Sequence, residues 1–163
     1  RALADAVFKG SGLAASDDAI LFSAESEWPP IRALPSMKLS HWYDVRDWYR
    51  AFLNAGARAD IVPLAYDWSS YKTIVLPTVL ILSDADTRRL AGFVQAGGRV
   101  VVDYATGLLD ERFHTWLGGY PGAGDGLLRS MLGVRGEEFN ILGAGAEGEP
   151  NEIRLTGTRD HPR

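Results

Sequence analysis

The chain has 163 residues, a length at which a single domain with one hydrophobic core is normal. It contains no cysteine, which excludes disulfides, thiolate metal sites and a cysteine nucleophile. Lys and Arg number 17 against 21 Asp and Glu, a net charge of −4 with no basic block, so no nucleic-acid partner is expected. Apolar runs such as 73–82 are far shorter than the ~20 residues of a membrane span. We therefore expect no membrane partner. A cytoplasmic location is expected as well, with which the absence of cysteine is compatible.

The first half of the chain predicts a helical stretch at 2–8 and then a strand at 19–23. That strand is apolar throughout, as a strand covered on both faces should be. The following segment, 24–39, holds three prolines and is predicted as a loop. The best defined helix is predicted at 40–55, with Ser40 as its N-cap. Its apolar side chains fall within an arc of roughly 140°, which predicts one buried stripe: Trp42, Val45, Trp48, Tyr49, Phe52 and Leu53.

The second half alternates strand and helix signals. Strands are predicted at 59–63, 73–77 and 99–104, and a capping box at 83–86 opens a helix that ends at Gly97-Gly98. A helix at 126–132 and a strand at 138–142 follow. The alternation predicts an α/β fold, a doubly wound, mostly parallel, flavodoxin-like sheet of order 2-1-3-4-5 with helices on both faces. Ligands of such sheets bind outside the carboxyl ends of the strands, here in the loops after Ser23 and Pro77.

Motifs for common chemistries are weak in this chain. The string at 143–148 matches G-x-G-x-x-G, but no helical pattern follows it, so it is interpreted as a flexible loop. The turn at 103–107, where doubly wound folds often carry a nucleophile, has neither Cys nor Ser. Asp110, Glu111 and His114 could supply metal ligands or a general base, although a solvated turn is the favoured interpretation. No cofactor and no metal are expected.

The segment after the first strand carries the most unusual surface. Trp28 beside Glu25 and Glu27 is a combination that suits sugar binding. An indole ring stacks on the apolar face of a sugar, and carboxylates accept hydrogen bonds from the sugar hydroxyls. The favoured alternative is that Trp28 covers the sheet edge or a subunit contact. Three of the five tryptophans fall in predicted loops, which is more aromatic surface than a monomer should leave wet and indicates an interface: Trp28, Trp68 and Trp116.

Taken together, the ordered segments resemble the middle, trimerisation domain of glycoside hydrolase family 42 β-galactosidases. The resemblance covers roughly 17–142. The segments that carry it are Ala19-Ile20-Leu21-Phe22 with Glu25-Ser26-Glu27-Trp28, 45–51, 60–63, 71–77, 93–98, Thr106-Gly107-Leu108-Leu109-Asp110-Glu111, 117–122 and 132–139.

The resemblance implies a fold like that of class I glutamine amidotransferases without the catalytic cysteine. It also implies catalytic glutamates on a separate (β/α)₈ barrel, which a chain of 163 residues cannot hold. The chain should then be inert alone, serve a homotrimer, and meet galactoside only through the missing barrel. We expect 1–16 to be a linker helix, 17–142 the trimerisation domain and 143–163 a tail towards a C-terminal β domain.

The residues expected at a subunit interface, or lining a neighbour's active site, are Glu25, Glu27, Trp28, Trp68, Phe113, His114 and Trp116. None is expected to be catalytic. The alternative is an independent amidotransferase-like hydrolase or a small-ligand binding domain that uses Asp110, Glu111 and His114.

Overall fold

The computed structural model describes residues 14–28 and 40–136. The helix expected at 2–8, the strand expected at 138–142 and the glycine-rich string at 143–148 lie outside the described residues.

Four parallel strands form one sheet in the order β2-β1-β3-β4. The strands are β1, Asp18–Phe22, and three shorter ones: β2 Asp60–Pro63, β3 Thr73–Leu76 and β4 Arg99–Val102. Ile20 at the centre of β1 is in register with Ile61 of β2 and Val75 of β3. The predicted order 2-1-3-4 and the α/β class are therefore confirmed over these strands.

Helices follow the strands as the capping signals predict. They are α1, His41–Asn54, α2, Asp84–Gln95, and the short α3, Leu127–Leu132. The Ser40 hydroxyl accepts the backbone N–H of Tyr43 at 3.3 Å, and the Ser83 hydroxyl accepts that of Asp86 at 2.9 Å. A 3-10 turn at Ala24–Glu27 interrupts the predicted loop. None of these helices in the described part of the chain is long and apolar enough to cross a bilayer.

The helices lie on both faces of the sheet, as expected for a doubly wound fold. Successive residues of β1 point to opposite faces, so Ile20 joins the cluster under α1 while Ala19 and Leu21 join the cluster under α2 and α3. The α1 cluster also holds Val45, Ala59 and Val75, with Trp48, Phe52 and Val101 packed against it. The other cluster holds Ile74, Leu76, Leu90, Phe93 and Leu128 among its buried members.

The predicted stripe of α1 is only partly buried. Val45 is buried, and Trp48 and Phe52 pack on the sheet beside it. Trp42, Tyr49 and Leu53 are instead 54%, 37% and 56% exposed, so the prediction that they are core residues is wrong. Helical periodicity identifies which side chains share a flank, but how much of that flank is covered depends on the width of the surface beneath it. Over the described residues, strands of four or five residues cover only one side of the stripe.

The edge strand β2 is short and carries unfavourable residues for further pairing. It begins at Asp60, which is exposed, and ends at Pro63, which has no backbone N–H. Leu64 donates its N–H to the carbonyl of Phe22 at 2.8 Å, which adds one more bond to β1 directly after Pro63.

Candidate functional site

The loops after β1 and β3, where a ligand was expected, are joined by a buried histidine. Nε2 of His41 accepts the backbone N–H of Ser23 at 2.8 Å, and Nδ1 donates to the carbonyl of Pro77 at 2.6 Å. One nitrogen donates and the other accepts, which requires the neutral ring. Burial lowers the pKa of His41 below its usual 6.5. The sequence signal that could have revealed this role is the position of His41 directly after the N-cap Ser40.

Ser26 closes the same crevice from the 3-10 turn. Its hydroxyl accepts the backbone N–H of Ile81 at 3.2 Å and donates to the hydroxyl of Ser23 at 3.1 Å. Ser23 and Ser26 are both buried. The side chains of Ser23, Ser26 and His41 are thus bonded within the protein, and these bonds link the end of β1, α1 and the loop after β3.

Glu27 has a structural role that the sequence analysis missed. Its carboxylate accepts the Ser40 hydroxyl at 3.0 Å and the backbone N–H of Trp42 at 2.9 Å. The charge therefore stabilises the amino end of α1 and satisfies one of its free N–H groups. Glu25 and Trp28, by contrast, face outwards, and the indole of Trp28 is 69% exposed.

The turn that follows β4 keeps the backbone of a nucleophile turn but presents no reactive group. Ala105 has a φ of 57° and is fully buried. The Thr106 hydroxyl donates to the carbonyl of Leu76 at 3.2 Å and accepts the N–H of Val79 at 3.1 Å. The hydroxyl of Tyr120 lies against the backbone N–H groups of Ala105 and Thr106, and burial raises the pKa of Tyr120 to about 12. Residue 105 of this turn therefore presents a buried methyl group.

An acidic cavity of about 320 Å³ lies between α1 and the end of β4. The indole N–H of Trp48 donates to the Asp103 carboxylate at 2.8 Å across it. Burial, and then the charges of Asp103 and Asp47, raise the pKa of Asp44. Among the described residues, no group of three or more His, Cys, Asp or Glu is arranged to hold a metal.

Residues 110–114 form a tight loop held by a single carboxylate. Oδ1 of Asp110 accepts the backbone N–H groups of Arg112 and His114, each at 2.8 Å. The N–H of Phe113 donates to the Asp110 carbonyl at 3.0 Å, and the N–H of Asp110 donates to the His114 carbonyl at 2.8 Å. These backbone bonds, with that of His114 first, lower the pKa of Asp110. Asp110 is thus engaged by its own loop, whereas Phe113 projects from it with a φ of 63° and 55% exposure.

Trp68 was expected to be an exposed loop residue, and this expectation is wrong. It is 2% exposed, donates its indole N–H to the Leu64 carbonyl at 3.1 Å and meets the Phe93 ring edge-on at 5.7 Å. The guanidinium of Arg89 covers its outer face at 4.5 Å. Trp116 is partly buried against the same cluster. A loop position therefore does not imply exposure when the loop folds back over the sheet.

The parallel sheet with helices on both faces defines a doubly wound α/β domain. Residues 16–160 match the family described as the β-galactosidase trimerisation domain, so the chain belongs to that family. The resemblance stated from the sequence is confirmed: the chain is a domain of the type found in GH42 β-galactosidases.

Individual relatives agree with this assignment. The chain is 41% identical to β-galactosidase BbgII of Bifidobacterium bifidum over 98% of its own length and 23% of that protein. It is 83% identical to the crystal structure of a β-galactosidase from Bifidobacterium adolescentis, with a TM-score of 0.75, over 81% of this chain and 61% of that one. A β-galactosidase structure from Bacillus circulans sp. alkalophilus is 26% identical, with a TM-score of 0.71, over 80% and 19%. The chain thus spans less than a quarter of the length of BbgII.

Proposed function

We propose that this chain is the assembly domain of a longer, retaining β-galactosidase that hydrolyses terminal β-D-galactosides as a homotrimer. The observation that carries the proposal is the family match over 16–160, because every one of the relatives described above is named as a β-galactosidase. The buried methyl group of Ala105 at the nucleophile turn supports a division of labour in which catalysis and galactoside binding belong to a separate barrel.

We further propose three segments: 1–16 as a linker from the barrel, 17–142 as the trimerisation domain and 143–163 as a tail towards a C-terminal β domain. The start of β1 at Asp18 supports the first boundary. A cytoplasmic location is proposed on the absence of cysteine, and fractionation of the producing cells tests it.

The proposed subunit interface, or wall of a neighbour's active site, includes the outward-facing members of the expected set. Trp28 and Phe113 are the large exposed apolar side chains among them, and Glu25 and His114 are exposed beside them in sequence. Trp68 is withdrawn from this set, since its ring is in the core. Glu27 and Trp116 contribute to the proposed interface indirectly. Glu27 accepts the backbone N–H of Trp42, and Trp116 packs against the hydrophobic cluster.

The test is made on the full-length enzyme. Light scattering should give three times the monomer mass, and a chromogenic β-galactoside should be hydrolysed with retention of anomeric configuration. A monomer that hydrolyses galactosides would contradict the assembly role, and a trimer inactive on galactosides would contradict the activity. The chain itself should show no hydrolysis, since any turnover by it would contradict the division of labour.

A further inference from the structure

One flank of α1 carries an apolar stripe that the described residues leave roughly half exposed. Trp42, Tyr49 and Leu53 lie at positions i, i+7 and i+11 and therefore line up along about 16 Å of the helix. Arg46 and Arg50, both exposed, border the stripe on its outer side. An aromatic centre with an arginine rim is the composition of protein interfaces rather than of free surface. We define these five residues as the α1 stripe.

A second apolar feature is presented by the loop after β4. Phe113 projects from a turn fixed by its hydrogen bonds to Asp110, and Leu117 in the same loop is 90% exposed. A bulky side chain at positive φ costs free energy that asparagine or glycine would avoid, so Phe113 stands here against the local backbone preference. The same loop carries two carboxylates. They belong to Asp110, whose lowered pKa keeps it ionised, and to the exposed Glu111. We call 110–117 the Phe113 loop.

The two features belong to opposite layers of the fold. The α1 stripe flanks residues that pack on the Ile20 face of the sheet, whereas Trp116 of the Phe113 loop packs on the other cluster. A closed ring of three copies requires two different patches on each copy, because its contacts run head to tail. Two unlike patches on different layers meet that requirement better than one self-complementary patch.

We infer that the α1 stripe of one copy packs against the Phe113 loop of the next copy around the threefold axis. The inference rests on the proposed function, since it assigns residues to the proposed trimer. Charge supports the pairing: Arg46, which is paired with Asp47 at 2.9 Å, and Arg50 leave one excess positive charge beside the α1 stripe, and Asp110 and Glu111 outnumber Arg112 on the other patch.

The size of the contact also fits an anchor within a larger interface. A large aromatic buries 150–250 Å² in full, so three half-exposed side chains offer about 300 Å² on the stripe. A standard interface takes about 800 Å² from each partner. The α1 stripe and the Phe113 loop would therefore form the apolar centre of the contact, while other parts of the subunits supply the remainder.

The experiment uses two variants of the full-length enzyme, each aimed at one patch. Tyr49→Glu with Leu53→Glu places charge on the α1 stripe, and Phe113→Asn removes the ring while suiting the positive φ. Gln95→Glu, exposed at the end of α2 and outside both patches, is the matched control because it adds one carboxylate to a helix surface. Sedimentation equilibrium should show at least a tenfold weaker association for each patch variant and an unchanged trimer for the control.

Mixing the two patch variants gives the sharpest readout. Each has one damaged and one intact patch, so an equimolar mixture should form a heterodimer through the single undamaged pairing and stop there. A mixture that stays monomeric although each parent is folded would overturn the pairing. So would patch variants that remain trimeric, including an α1 variant that stays trimeric with a lowered Tm, because another domain of the same chain would then cover the stripe.

The trimeric state and the pairing of the two patches are contradicted by different results. A wild-type enzyme that is not trimeric contradicts the proposed function and, with it, this pairing. A trimeric wild type with trimeric patch variants contradicts the pairing alone. Restored association on combining Arg50→Glu with Glu111→Arg, each weakened singly, would support a direct contact between the two patches.

Discussion

Trp48 donates its indole N–H to the carboxylate of Asp103 at 2.8 Å, and this bond ties the middle of α1 to the residue that follows β4. The Asp103 carboxylate also accepts the N–H of Tyr104 at 2.8 Å, so its second oxygen depends on Trp48. When a partly buried acceptor loses its hydrogen-bond donor, the loss of folding free energy is larger if the acceptor is charged than if it is neutral.

Trp48→Phe should therefore lower the free energy of unfolding by about 1–3 kcal/mol, since it leaves the carboxylate without that donor. Trp42→Phe is the matched control, because Trp42 is largely exposed and should change stability by no more than about 0.5 kcal/mol. Urea denaturation of the 163-residue chain measures both. Equal effects of the two substitutions would show that the bond to Asp103 does not contribute to stability.

His41 should make stability depend on pH. Burial lowers its pKa in the folded chain, although the Pro77 carbonyl and the charge of Glu27 oppose that shift. Between the lowered pKa and the usual 6.5 the unfolded chain binds more protons, so stability is complete above about pH 6.5 and declines as the pH falls below it.

The expected result is that wild type exceeds His41→Gln in stability most at about pH 7.5, and that the difference narrows towards about pH 5.5. The comparison between variants cancels the titration of the other groups. Chemical denaturation across this range provides the measurement. A constant difference would mean that the ring is not held neutral in the folded state.

Alanine substitutions at Gly107 and Gly56 distinguish the cost of backbone strain from the cost of a steric clash. Both have positive φ, 70° and 68°, so alanine should cost about 1 kcal/mol at either position. At Gly107 a Cβ would also approach the side chains of Leu128 at 2.8 Å and Ala123 at 2.9 Å, whereas nothing lies within 4 Å at Gly56. Gly107→Ala should lower Tm by several degrees more than Gly56→Ala, as calorimetry can test. Similar shifts would show that the structure repacks around residue 107.

Ala105→Cys tests whether the nucleophile turn is closed. The new thiol should react with iodoacetamide at least tenfold more slowly than one at the exposed Ala51, because residue 105 is fully buried and the Tyr120 hydroxyl lies against its N–H. Mass spectrometry of timed reactions provides the rates. Equal labelling at the two positions would indicate that the turn opens, which would revive the amidotransferase-like alternative.

The order of β1 to β4 and the caps of α1 and α2 could be predicted from the sequence, because apolar runs, Ser40 and Ser83 act locally. The exposure of Trp42 and the burial of Trp68 could not. Both depend on what lies across a tertiary contact: a narrow sheet leaves one flank of α1 uncovered, and Arg89 folds over the ring of Trp68. The same holds for the site, since the partners of His41 are two loops 18 and 36 residues away in the chain.

The ends of β2 also limit how copies of this domain can associate. A sheet edge that accepts another strand can accept it again in the next copy, and identical sheets then extend without limit. Asp60 and Pro63 make this edge a poor template. At this edge, therefore, the proposed association of copies depends on side chains, whose geometry can close a ring at a fixed number, rather than on the strand pairing that leads to fibres.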